Sequence, residues 1–105
     1  MTTDQLINNV MRWGVVHHLD DPKAQLNKVT EELGELAHEI CRNRYDTPEA
    51  RDAIGDVLVT VIILSQIMGH DPMKCLREAY DVISKRDGKT VEGTFIKNER
   101  ADSNV

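Results

Sequence analysis

The chain has 105 residues, 40% of them apolar and 30% charged, with a formal net charge of -5 at pH 7. That length suits one domain, residues 1–105, with its own core, yet small enough to gain from oligomerisation; the acidic balance excludes binding a nucleic acid polymer as its main role. The opening MTTDQL lacks the regions of a signal peptide, and the most apolar run, 57–64, falls short of the roughly 20 residues that cross a bilayer, so a soluble, cytoplasmic protein without a membrane partner is expected.

Leu6, Val10, Trp13 and Val16 or His17 recur at three- and four-residue spacing, which predicts an amphipathic helix over about 4–17. Gly14 weakens its end. Trp13, the only tryptophan, lies on the apolar stripe and reads as a core residue; the competing reading is a face on which a base stacks. Asp21-Pro22, Thr47-Pro48 and Asp71-Pro72 each place a capping side chain before a proline at the first helical position. With Gly69 and Gly88 as stops, they predict helices over about 22–43, 48–69 and 72–86, and hence an all-α, four-helix fold. The tail, 87–105, contains TVEGTFIK, which suits a short extended hook, and then a frayed end over 99–105. Cys41 and Cys75 match no zinc spacing and read as reduced core thiols.

On the second helix, at about 100° per residue, Leu26, Val29, Leu33, Leu36 and Ile40 form the expected buried stripe. Gln25, Lys28, Glu32, Glu35 and Glu39 make a polar ridge along its border, while Glu31 and His38 point away. The third helix is apolar nearly all round, from Ile54 to Met68, which marks a buried helix. A chain this small cannot cover it alone, so packing against a second copy, as a homodimer or homotetramer, is expected. Gly34 and Gly55 inside helices suggest close helix approach. Asp52 and Asp56 share one face at the head of this helix, one short loop from EELGE. Carboxylates gathered at the edge of a core repel one another and call for a cation. Oxygen donors suit Mg²⁺ or Mn²⁺. Glu32, Glu35, Asp52 and Asp56 are therefore the expected metal ligands, acting on a phosphate ester.

Taken together, Gln25 through Lys28, EELGE, DAIGD and the C-terminal KRDGKTVEGTFIK resemble the MazG-like nucleotide pyrophosphohydrolases, in particular the small single-domain members of bacteria and phages. The resemblance spans about residues 13–97. It implies an oligomeric helical bundle that hydrolyses a nucleoside triphosphate to a monophosphate and pyrophosphate with Mg²⁺, in the cytoplasm of a bacterium or a phage-infected cell. The family pattern, EExxE followed by ExxD, carries over to Glu32, Glu35 and Asp56. Ala53 stands where the second glutamate belongs, and Asp52 is the candidate substitute. The general base is Glu35 or Glu31. Lys85, Arg86 and Lys89 crowd the end of the fourth helix, where basic residues also complement the helix dipole; the resemblance tips them toward phosphate binding, with Lys28, Gln25 and Trp13 as further substrate contacts. A narrower dUTP or dCTP pyrophosphatase, a phosphoribosyl-ATP hydrolase and a non-catalytic helical dimer binding nucleotide or protein are the competing readings.

Overall fold

The computed structural model describes residues 1–98. The architecture is all-α with a short C-terminal hairpin: α1 (Thr3–Val16), α2 (Pro22–Cys41), α3 (Pro48–Ile67), α4 (Pro72–Ile83), then β1 (Gly88–Val91) and β2 (Thr94–Lys97). The expected helices are all present and end two or three residues early at the C-terminal side of α2, α3 and α4. The expected frayed end lies outside the described residues.

The starts follow from capping chemistry. Asp21 accepts hydrogen bonds from the Lys23 and Ala24 N–H groups, and Thr47 from that of Ala50. Pro22 and Pro48 follow at the first helical position, where a missing N–H costs nothing. Pro72 opens α4 in the same way. At α1, Thr2 and Gln5 form a reciprocal capping box.

The described residues form two compact units, 1–72 and 73–98. In the first, α3 is central, packing against α2 and against α1. The α2–α3 pair runs antiparallel, since Gln25 near the start of α2 meets Thr60 late in α3. Gly14 of α1 is buried, and a Cβ there would stand 3.2 Å from Ile63 Cγ2. Close approach is thus bought by Gly14, whereas a Cβ at Gly34 or Gly55 would meet nothing within 4 Å, contrary to the expectation for those two.

The buried side of α2 is also not the expected leucine stripe. Gln25, Val29, Glu32, Leu36 and Glu39 turn inward, spaced four and three residues apart as in a coiled-coil seam. Leu26, Leu33 and Ile40 are about half exposed. The helix is rotated by about 60° from the expected setting, because small residues on α3, Ala50 and Ala53, let the longer polar side chains approach. This places the acids on one shoulder of the seam and the leucines on the other. α3 divides likewise: Ala50, Ala53, Thr60 and Ile63 are buried, while Ile54, Leu58, Val61 and Met68 are exposed. The buried apolar residues among those described are Ala50, Ala53 and Ile63, and no large side chain is fully enclosed. Cys41 and Cys75, expected in the core, are exposed thiols.

In the second unit, α4 leads into a hairpin with Gly88 opposite Lys97 and Val91 opposite Thr94. Glu92 and Gly93 both take positive φ at the turn, the geometry of a tight two-residue hairpin. A Cβ at Gly88 would collide with the Ile96 carbonyl and the Phe95 ring.

Candidate active site

The rotation of α2 builds the site. Glu32 faces α3 with only 7% of its surface exposed; its Oε1 lies 3.4 Å from Lys28 Nζ, and its Oε2 is buried without a hydrogen-bond partner. Glu31 and Glu35, one residue before and three after, flank it on the exposed shoulder. One carboxylate oxygen from each of Glu31, Glu32 and Glu35 lies within 4.8 Å of the others. Glu31 and Glu35, four residues apart, differ by only about 40° around α2, so the setting that turns Glu32 toward α3 carries both to the shoulder beside it, Glu31 included, which was expected to point away. Lys28 bridges the group, 3.4 Å from both Glu31 and Glu32.

Across the seam, Asp52 is exposed and Asp56 half buried on the corresponding shoulder of α3. Burial, then the charges of Asp52 and Glu32, raise the Asp56 pKa above the ordinary aspartate value, with Lys28 opposing. The charge of Glu32 and a hydrogen bond to it, then burial and the charge of Glu31, raise Glu35 likewise, with Lys28 opposing. Lys28 is held above the usual lysine value, chiefly by Glu31 and Glu32. Five carboxylates thus share a region with one cation among them. Ala53 is buried in the seam between Asp52 and Asp56, with 6% exposure.

This arrangement fits a divalent cation. The donors are all hard carboxylate oxygens, and the buried Oε2 of Glu32 has no partner, a condition costly to maintain unless an ion satisfies it. Glu31, Glu32 and Glu35 can reach such an ion together; of the expected aspartate ligands, Asp56 lies near enough to feel the charges of Glu32 and Asp52 but is outside that group, as is Asp52.

A cavity of about 560 Å³ adjoins the acids, lined by Trp13 of α1, the 18–21 turn, Gln25, Lys28 and Glu32 of α2, and Asp56, Val59, Thr60 and Ile63 of α3. That volume is within the range of small-molecule sites. Gln25 is buried and donates through Nε2 to the Thr60 carbonyl at 3.1 Å. Trp13 is 53% exposed, so the core reading does not hold; it forms a wall of the cavity, with the His17 ring 4.2 Å away. The first unit therefore brings together Trp13, Gln25, Lys28, Glu31, Glu32, Glu35, Asp52 and Asp56. Lys85, Arg86 and Lys89 belong to the second unit. There Lys85 pairs with Asp81 at 3.3 Å and, with Arg86 and Lys97, lines a cavity of about 400 Å³. Sequence reasoning missed His18, Leu19 and Asp20, whose place in the cavity is set by the turn after α1. The one local signal was Asp20-Asp21, two acids where a helix cap needs one.

With this geometry in view, comparison with known proteins is informative. The family model of the MazG nucleotide pyrophosphohydrolase domain matches residues 20–91. The chain belongs to the MazG family. Its fold is also that of the MazG-like pyrophosphohydrolase of cyanophage S-2L, described as bound to dGDP and three catalytic Mn²⁺ ions per active site. The TM-score is 0.68 at 20% identity, covering 94% of this chain and 99% of that one. A relative by sequence, an uncharacterized 18.2 kDa protein from the rep-hol intergenic region of Haemophilus phage HP1 (strain HP1c1), is 35% identical over 65 residues. That match covers 59% of this chain and 39% of the relative, so the chain spans well under half the relative's length.

Proposed function

We propose that this MazG domain hydrolyses a nucleoside triphosphate between the α and β phosphates, releasing a monophosphate and pyrophosphate with Mg²⁺ or Mn²⁺. The observation that carries the reading is the buried, unpartnered Oε2 of Glu32 amid four further carboxylates, beside a nucleoside-sized cavity.

Glu32, Glu35 and Asp56 would hold the metal, with Asp52 in the role that Ala53 cannot fill. Bound there, the ion would offset the charge of the triphosphate, acidify the attacking water and stabilise charge developing at phosphorus. Glu35 or Glu31 takes the water proton. Lys28 supplies positive charge at the mouth of the acid group, and Gln25 and Trp13 position the nucleoside. Lys85, Arg86 and Lys89, all in the second unit, are a separate group of cations suited to phosphate oxygens. A source of nucleotides places the protein in the cytoplasm of a bacterium or a phage-infected cell.

The assembly proposed is a homodimer or homotetramer. Leu26, Leu33 and Ile40 on α2 and Ile54, Leu58 and Val61 on α3 leave an apolar shoulder exposed, on the side of the seam away from the acids. Contiguous apolar surface of this kind marks an interface.

The test is a panel of canonical and modified NTPs and dNTPs incubated with Mg²⁺ or Mn²⁺, measuring monophosphate, pyrophosphate and orthophosphate. Equal yields of monophosphate and pyrophosphate are expected. Orthophosphate as the first product would overturn α–β cleavage, and no turnover across the panel would favour a binding protein, for which the missing carboxylate at Ala53 is the observation in hand.

A further inference from the structure

Beyond the acids and Lys28, the polar side chains lining the main cavity are His18, Asp20, Asp21, Gln25 and Thr60. Most are already committed. Asp21 Oδ1 accepts the Lys23 and Ala24 N–H groups as the cap of α2. The Thr60 hydroxyl lies 2.9 Å from the Asp56 carbonyl and 3.0 Å from that of Val57, donating to its own helix. Gln25 is different, because the Thr60 carbonyl can only accept; this fixes Nε2 as the amide atom facing it and leaves Oε1 as an acceptor with no partner. Asp20 has no hydrogen-bond or ion-pair partner among the described residues. His18 offers one donor or one acceptor according to tautomer. The uncommitted chemistry of the cavity is therefore dominated by acceptors, one of them a full carboxylate.

We infer that Asp20 makes this cavity selective for guanine. This rests on the reading that a nucleotide is the substrate. A carboxylate accepts two parallel N–H groups at once, and guanine, through N1–H and the 2-amino group, is the base whose pairing edge presents two donors side by side. Adenine and cytosine each present one amino group next to an acceptor nitrogen. Uracil and thymine present one N–H between two carbonyls, which a carboxylate repels. Trp13 supplies a flat face for the ring and Leu19, Val59 and Ile63 an apolar lining. Asp20 is exposed, so its selectivity comes from the two charge-assisted hydrogen bonds it can make to guanine against at most one to the other bases.

The experiment is calorimetric titration of the full chain with GMP and with IMP, which lacks only the 2-amino group, in Mg²⁺. The intact protein should bind GMP at least about tenfold more tightly, the factor expected of one hydrogen bond to a charged group. Asp20→Asn and Asp20→Ala should both bring that ratio close to one while IMP binding stays within a small factor of wild type. Equal binding of GMP and IMP to the intact protein, a ratio unchanged in both variants, or binding of neither nucleotide would overturn the inference. Turnover of triphosphates without guanine preference sinks this inference and spares the hydrolase reading; guanine preference without turnover does the reverse.

Discussion

Replacing Glu32 by glutamine should move stability in opposite directions with and without metal. In the metal-free protein the Glu32 charge pushes up the pKa values of Glu35 and Asp56, and its buried Oε2 has no partner. An amide of the same size removes that charge and offers Nε2 as a donor to neighbouring carboxylates. Satisfying a buried polar group is worth roughly 1–3 kcal/mol. Against this stands the lost ion pair with Lys28, half exposed and worth about 0.2–1 kcal/mol. The balance is a gain of about 1 kcal/mol, or roughly 4–8 °C in Tm for a unit of this size. Metal reverses the order. A ligand at about 100 times its Kd stabilises the native state by about 2.7 kcal/mol, hence by roughly 10–20 °C on the same scale, and the variant should lose most of that increment. Thermal unfolding of both proteins in EDTA and in saturating Mn²⁺ measures the crossover. If Glu32→Gln melts below wild type in EDTA, or gains as much from Mn²⁺ as wild type does, the assignment of Glu32 is wrong.

Other outcomes follow from the same geometry. Glu35→Gln should lower turnover by about 10²-fold or more with helicity unchanged in circular dichroism, and Asp52→Asn should weaken Mn²⁺ binding by about tenfold or more in a metal titration; wild-type values would remove either residue from the site. Raised native pKa values for Glu35 and Asp56 mean that the folded chain holds protons more tightly than the unfolded one. Stability of the chelated protein is therefore lowest with both groups ionised, and it should climb as pH falls through the raised values toward the ordinary 4.5 and 3.8. Melting curves in EDTA from neutral pH downward should show this gain, and saturating Mn²⁺ should flatten it. For the apolar shoulder, sedimentation at micromolar concentration should give a dimer or larger species for wild type and a monomer for Leu33→Arg; a stable wild-type monomer refutes the assembly.

Much of this was readable in the sequence because it depends on local chemistry. A cap followed by proline sets helix starts within a residue or two, and the DxxxD spacing of Asp52 and Asp56 needs only helical periodicity. The rotation of α2 was not readable. Hydropathy assigns Leu26, Leu33 and Ile40 to the inside, whereas in the chain the inside is whatever meets α3, and that is Gln25, Glu32 and Glu39. An apolar side chain on an exposed shoulder and one in a core look alike in a sequence. Hydropathy assigns Trp13 to the inside as well, whereas it is half exposed and walls a cavity. Asp20 was invisible for another reason, since a turn residue acquires meaning only from the helices it brings together.

Gly14 is the residue after Trp13, and it rests against Ile63, which lines the same cavity from the opposite helix. The gap between aromatic wall and aliphatic floor is thus gauged by a single hydrogen atom. A methyl group at Gly14 would press on Ile63 at 3.2 Å, so that Ile63 or α1 must yield by a few tenths of an ångström, and on the proposed function that shift would reach the ring bound against Trp13. The cavity's calibre is written into a position that touches no ligand, and variation there would tune how firmly a planar ring is gripped while every polar contact stayed in place.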